Sequence, residues 1–222
     1  MLEAFNFRAI LEYMPTYGQC FLATLWLSAL SLFGAILVGI AACAMRLSHS
    51  RLLSGAAGVY IESIRSTPLL AQLYFFYFGL PTFGVMLPEW VTGVIALTLN
   101  SGAYYAEIIR AGIQAIHSGQ IEAGIASGFS YLQRMRYIIL PQALGMTIRP
   151  MLGQAIVLVK DSSLLSLISI LELTRAGQLL TSERFMPAEG FLTTAVFYLI
   201  IYYMLKAFSG WSEKKLIFRE AH

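Results

Sequence analysis

The chain is short of charge. Only 12% of its 222 residues are Asp, Glu, Lys or Arg, while 58% are hydrophobic and the mean hydropathy is +0.69. Soluble domains carry about 25% charged residues. A soluble fold is therefore excluded, and one membrane bundle is expected to use residues 1–222 as a single domain. Cysteine is scarce too. Cys20 and Cys43 share one apolar run, and on one helix they stand ~35 Å apart, too far to bridge. The formal charge is +3 and no long basic run occurs, which points away from nucleic acid. No Gly-Lys pair exists, so the GxxxxGK(S/T) phosphate loop is excluded. If ATP drives this protein, another chain binds it. His49, His117 and His222 have no metal-ligand neighbour at helical spacing and read as solvated loop or tail residues. Glu3, Arg8 and Glu12 stand where a basic leader would be, so no secretory signal is expected. No catalytic constellation, metal set or cofactor site emerges.

What is present is a series of apolar runs. A transmembrane helix needs ~20 mostly apolar residues. Five spans meet that need: about 20–45, 52–80, 90–109, 138–159 and 191–208. The second carries Glu62 and Arg65 and is expected to kink at Pro68. The run Leu164–Leu171 is too short to cross and reads as re-entrant or protein-buried. Ala35, Gly39 and Cys43 form a small-residue stripe on one face of the first span, a pattern that permits close helix contact.

Positive charge sets the orientation. Arg46 and Arg51 flank the first loop, Arg110, Arg134 and Arg136 the third, and Lys206, Lys214, Lys215 and Arg219 follow the last span. The second loop, Pro81–Glu89, has neither Lys nor Arg, and the fourth mixes Arg175 and Arg184 with Glu172, Glu183 and Glu189. The positive-inside rule puts loops one and three and the C-terminus in the cytoplasm, with the N-terminus outside.

Polar residues inside the spans are costly in lipid and normally face a bundle interior or a water-filled path. Counted from the start of each span, Glu62, Asn100 and Arg149 all fall near mid-membrane. Glu62 and Arg65 are spaced to pair on one helix face, as are Glu107 and Arg110. Lys160-Asp161-Ser162-Ser163 is a polar break ahead of the short apolar run. Transporters use such breaks to expose ligating groups at membrane depth.

The loop at about 117–137 is polar, yet apolar spans flank it. It contains Glu122-Ala123-Gly124-Ile125-Ala126-Ser127-Gly128, then Ile138-Ile139-Leu140-Pro141. This resembles the EAA loop of bacterial ABC importer permeases, with Gly124 in place of the second alanine. In that family the loop forms a coupling helix that docks on the ATPase, which implies this role for Glu122, Ala123, Gly124 and Gly128. Further blocks agree. Arg65-Ser66-Thr67-Pro68-Leu69-Leu70-Ala71-Gln72, Leu99–Ile113 and Lys160-Asp161-Ser162-Ser163-Leu164 are similar to blocks of the polar amino acid permeases, in family order.

The resemblance implies an all-α type I importer permease with five transmembrane helices and a cytoplasmic coupling helix, in a bacterial inner membrane. It implies a second permease subunit, identical or homologous, and two copies of an ABC ATPase that hold ATP and Mg. An external amino acid-binding protein would deliver a polar amino acid, with lipid around the bundle. By resemblance Glu62, Thr67, Asn100 and Asp161 line the substrate path, with Gln72, Arg149 and Lys160 as further path residues. Asp161 or Glu62 would take the substrate ammonium, and Asn100 and helix N-termini its carboxylate. Two other classes compete. An ion-coupled secondary transporter would also use mid-membrane carboxylates, but the chain has no inverted repeat. A purely structural membrane subunit leaves the mid-membrane polar residues without a purpose.

Overall fold

The computed structural model describes residues 5–220, with side chains described for 5–210. His222 and Glu3 lie outside them, as do the side chains of Lys214, Lys215 and Arg219. The described chain is helical throughout, with no strand.

Helix α1 runs Phe7–Arg46, well ahead of the expected start at Cys20. Asn6 caps it by accepting from the Ala9 N–H. Helix α2, Arg51–Arg65, is capped by Ser50. The expected single second span is broken rather than kinked: α2 stops at Arg65, and α3 restarts over Leu69–Tyr74 with Pro68 as its N-cap. Proline lacks the N–H the ladder needs and pushes its predecessor out of the helical region. A π-turn, Phe75–Gly79, and a 3-10 turn, Leu80–Phe83, end this segment.

Helix α4 is Glu89–Gln114. Helices α5, Ser118–Ala126, and α6, Tyr131–Arg134, form the polar loop. A π-turn, Met135–Ile139, leads into α7, Leu140–Asp161. The short apolar run continues α7 as a 3-10 turn, Ser162–Ile168. Helices α8, Leu173–Arg184, and α9, Pro187–Glu220, close the chain. Among the described residues, three helical stretches are long and apolar enough to cross a membrane: Phe7–Arg46, Tyr131–Ile168 and Pro187–Gly210. Their outward faces carry large apolar side chains, among them Leu22, Phe33, Leu37, Val196 and Leu199.

The centre of the bundle is the α1–α4 contact. Ala35, Gly39 and Cys43 are all buried there. A Cβ on Gly39 would stand 2.5 Å from Tyr105 Cβ and 3.2 Å from the Ala106 nitrogen. The small stripe thus lets two backbones approach, and dispersion contacts replace the side chains it lacks. Cys20 and Cys43 are separate buried free thiols.

Candidate functional site: a polar cleft at the helix break

The break between α2 and α3 frees backbone carbonyls that the helix would have used. Gln72 answers them. Its Nε2 donates to the Ile64 carbonyl at 2.7 Å, the Thr67 carbonyl at 3.1 Å and Thr67 Oγ1 at 2.8 Å. Its Oε1 accepts from Asn100 Nδ2 at 3.1 Å. One buried amide therefore braces the broken backbone against α4, and the break is a fixed feature.

Against this braced break lies a cleft of about 550 Å³, whose lining includes Arg65, Thr67, Asn100, Tyr104, Gln154 and Asp161. Three elements distant in sequence supply them: the α2–α3 break, α4 and α7. Asp161 is partly exposed and makes no hydrogen bond or ion pair among the described residues. Among the described residues the Gln154 side chain makes one long contact, Nε2 to Ser101 Oγ at 3.4 Å. Arg65 lies over the Tyr104 ring at 5.3 Å. The wall therefore offers one carboxylate, one guanidinium and two amides, an arrangement that fits a zwitterion.

A second cleft of about 490 Å³ adjoins it and shares Arg65, Ser66 and Tyr104; Arg46, Glu62, Glu107 and Arg110 complete its charged wall. Here Arg110 grips Glu107 in a fork, Nε to Oε1 at 2.8 Å and Nη2 to Oε2 at 2.6 Å. This is the pairing expected from their spacing. The expected Glu62–Arg65 pair does not form. Arg65 turns instead to Glu107, at 3.6 Å.

The residues picked from sequence thus separate. Thr67, Asn100 and Asp161 meet in one cleft. Glu62 lines the neighbouring one. Gln72 stands behind the wall as a brace. Arg149 and Lys160 are exposed on α7 and line neither cleft. Glu62, Asn100 and Arg149 do not share one wall, because counting residues along a helix does not set which way a side chain faces: on α7 it is Gln154 that meets α4, through Ser101. Arg65 and Gln154 also line the first cleft. The spacing of Arg65 points to Glu62 as its partner, and a lone glutamine in an apolar helix has only its cost in lipid as a signal.

The polar loop is a tight turn of local hydrogen bonds. His117 caps α5 through Nδ1, which accepts from the Gly119 N–H at 3.1 Å. Its C-terminus closes as a Schellman motif: the Phe129 N–H bonds the Gly124 carbonyl and the Gly128 N–H the Ile125 carbonyl, both at 2.9 Å. Gly128 has φ +77°, and nothing stands within 4 Å of where its Cβ would be. Its glycine is thus set by backbone conformation within this chain. Gly124 is buried, its missing Cβ 2.7 Å from Ile138 Cδ1. A glycine there seats α5 against the following segment, at a propensity cost of about 1 kcal/mol relative to alanine. Glu122 and Ala123 are exposed, beside the exposed apolar Ile125, Tyr131 and Leu132.

One further carboxylate reads in the sequence only as a loop charge. Glu172 is 0% exposed. It caps α8 by accepting from the Arg175 N–H at 2.8 Å and the Thr174 N–H at 2.9 Å, and Tyr198 Oη donates to it at 2.7 Å. It lies outside the long membrane-crossing helices. Burial pushes its carboxyl above the usual carboxylate range, against the downward pull of these hydrogen bonds.

This architecture and these motifs have known counterparts. Residues 31–218 match the family of binding-protein-dependent transport system inner membrane components. The glutamine transport system permease protein GlnP of Escherichia coli is 39% identical over 199 residues, 89% of this chain and 91% of that one. A crystal structure of an amino acid ABC transporter with histidines superposes with a TM-score of 0.91 at 35% identity, covering 95% of this chain and 98% of the other. The MetNI methionine ABC transporter, inward facing, shares the fold with a TM-score of 0.75 at 19% identity, over 91% of this chain and 97% of that one. The chain belongs to the binding-protein-dependent transport system inner membrane components, as a permease subunit of an ABC importer.

Proposed function

We propose that this chain forms the translocation path for a polar amino acid and couples it to a separate ATPase. The observation that carries this reading is the convergence of Thr67, Asn100 and Asp161, with Arg65 and Gln154, on one cleft at the helix break. Asp161 takes the substrate ammonium and Arg65 its carboxylate, a charge-balanced pair for a zwitterion. Glutamine is the first substrate to test, since the GlnP relative is a glutamine permease.

The bundle crosses the membrane five times. α4 and the broken α2–α3 segment add two crossings to the three long apolar stretches. A break at membrane depth is tolerated where it lines a cavity, and this one does. The N-terminus lies outside and the coupling turn in the cytoplasm. There α5, with Glu122, Ala123, Gly124 and Gly128, meets one of two ATPase subunits that hold ATP and Mg. A second permease subunit, identical or homologous, completes the membrane unit, and an external binding protein delivers the substrate. Closure of the ATPases draws the coupling helices together and turns the cleft outward; hydrolysis returns it inward.

Two measurements test the reading. Proteoliposomes holding this chain with its ATPase and binding protein should take up labelled L-glutamine or another polar amino acid only with ATP. Absence of ATP-driven uptake for every amino acid tried would refute it. In a Cys20→Ala, Cys43→Ala background, Thr82→Cys should react with an impermeant thiol reagent from outside, and Ser118→Cys only after the membrane is opened. The reverse pattern would overturn the orientation.

A further inference from the structure

We infer that the substrate path has two successive stations in this chain, and that Arg65 passes the substrate's carboxylate from the first to the second. The inference rests on the proposed substrate cleft and concerns its neighbour, the cleft lined by Glu62. Either cleft, at about 550 and 490 Å³, has room for a small zwitterion. They are not independent, because Arg65, Ser66 and Tyr104 belong to both. Each adds one carboxylate that makes no hydrogen bond or ion pair among the described residues: Asp161 in the first, Glu62 in the second. The other charges of the second cleft are engaged. Arg110 holds Glu107 through two short bonds, and Arg46 Nη1 donates to Ser54 Oγ at 2.9 Å.

Arg65 is the loosely held member. Its contact with Glu107 is 3.6 Å, its side chain is 42% exposed, and its other contact is the Tyr104 face. Its backbone, in contrast, ends α2 beside the break that Gln72 braces. A fixed backbone carrying a loosely held guanidinium suits a pivot. The α-carboxylate stays on Arg65 while the ammonium exchanges Asp161 for Glu62. The shared cation admits one substrate at a time. The direction follows from the fold. The second cleft holds Glu107 and Arg110, near the end of α4 that leads into the coupling turn, whereas Asn100 of the first cleft lies farther back. The second station is therefore the one nearer the ATPase. Arg65 acts in both steps, and Glu62 only in the later one.

The test is a split of kinetic parameters in the reconstituted importer with labelled L-glutamine. Glu62→Gln should lower kcat about tenfold with KM changed less than twofold, because first binding is intact and onward transfer is not. Glu62→Asp should recover part of kcat. Arg65→Ala should raise KM and lower kcat together, and Arg65→Lys should restore part of both. The Glu62 side chain makes no hydrogen bond or ion pair among the described residues, so loss of folding does not obscure its variant; uptake is normalised to assembled complex. An unchanged kcat in Glu62→Gln, or a rise in KM alone, overturns the second station. If Asp161→Asn is also silent, the substrate cleft itself is wrong. If Asp161→Asn impairs uptake while Glu62→Gln does nothing, the cleft stands and only the relay fails.

Discussion

Asp161 and Glu172 are two carboxylates eleven residues apart by number, and they are treated in opposite ways. Glu172 is fully enclosed and holds three hydrogen bonds, two from the backbone it caps and one from Tyr198. Asp161 is partly exposed, lines a cleft and its side chain makes none among the described residues. A carboxylate whose lone pairs are filled from within is holding the fold together. One left open on a cavity wall is free for something that arrives. The sequence shows two acidic residues near the same turn, and only their partners tell them apart.

The largest expected effect breaks the first side of this contrast. Glu172→Ala removes the acceptor for the Thr174 and Arg175 N–H groups and for the Tyr198 hydroxyl. Leaving such donors unpaired costs about 2–4 kcal/mol. Melting temperature and yield of the purified complex should fall, with transport per folded complex unchanged. A stable variant with slow transport would reverse the assignment.

Asp161→Asn probes the other side. No side-chain hydrogen bond or ion pair among the described residues is lost, so stability should hold. Losing a charge-assisted bond to the substrate ammonium removes ~1.5–3 kcal/mol, or roughly ten- to hundredfold in apparent affinity. Uptake normalised to assembled complex reads this. Lower stability with normal uptake would make Asp161 a structural residue like Glu172.

A smaller effect is expected at Gly128, which contrasts with both as a backbone requirement. Gly128→Ala keeps the space open but forces a side chain into the left-handed region, at about 1–2 kcal/mol. The turn after α5 should loosen, and ATPase activity should follow substrate less tightly. Stimulation equal to wild type would show that the cap does not matter for coupling.

The smallest effect is a pH dependence. The folded Glu172 carboxyl titrates above its unfolded value. Its contribution to stability is therefore fully present below the ordinary glutamate pKa and fades as pH rises through the raised one. Glu172→Gln should flatten melting temperature across that window. A profile as steep as wild type would assign the dependence to another group.

Different parts of the molecule were legible to different degrees. The polar turn after α5 was legible as a polar loop but not in its bonds, although these are local: His117 to Gly119, Gly124 to Phe129, Ser130 to Gln133. Nearby residues carry that geometry wherever the loop is placed. The helix break was half legible. Pro68 announced an interruption, but whether the helix bends or stops depends on a partner for the freed carbonyls, and Gln72 supplies it only with Asn100 of α4 behind it. Arg149 shows the limit of counting, since depth along a helix says nothing of which neighbour the side chain meets.

Sequence alone determined the membrane character, the polar loop between spans and the acidic and amide residues that could serve a substrate. Composition, charge asymmetry and residue spacing are properties of the chain itself. Tertiary structure decided which of those residues share a wall. It brought Thr67, Asn100 and Asp161 together, moved Glu62 to the adjoining cleft, turned Arg65 from Glu62 towards Glu107 and filled the lone pairs of Glu172. The physical reason is that each of these assignments depends on a group from another helix. A side chain's partners are fixed only when those helices pack.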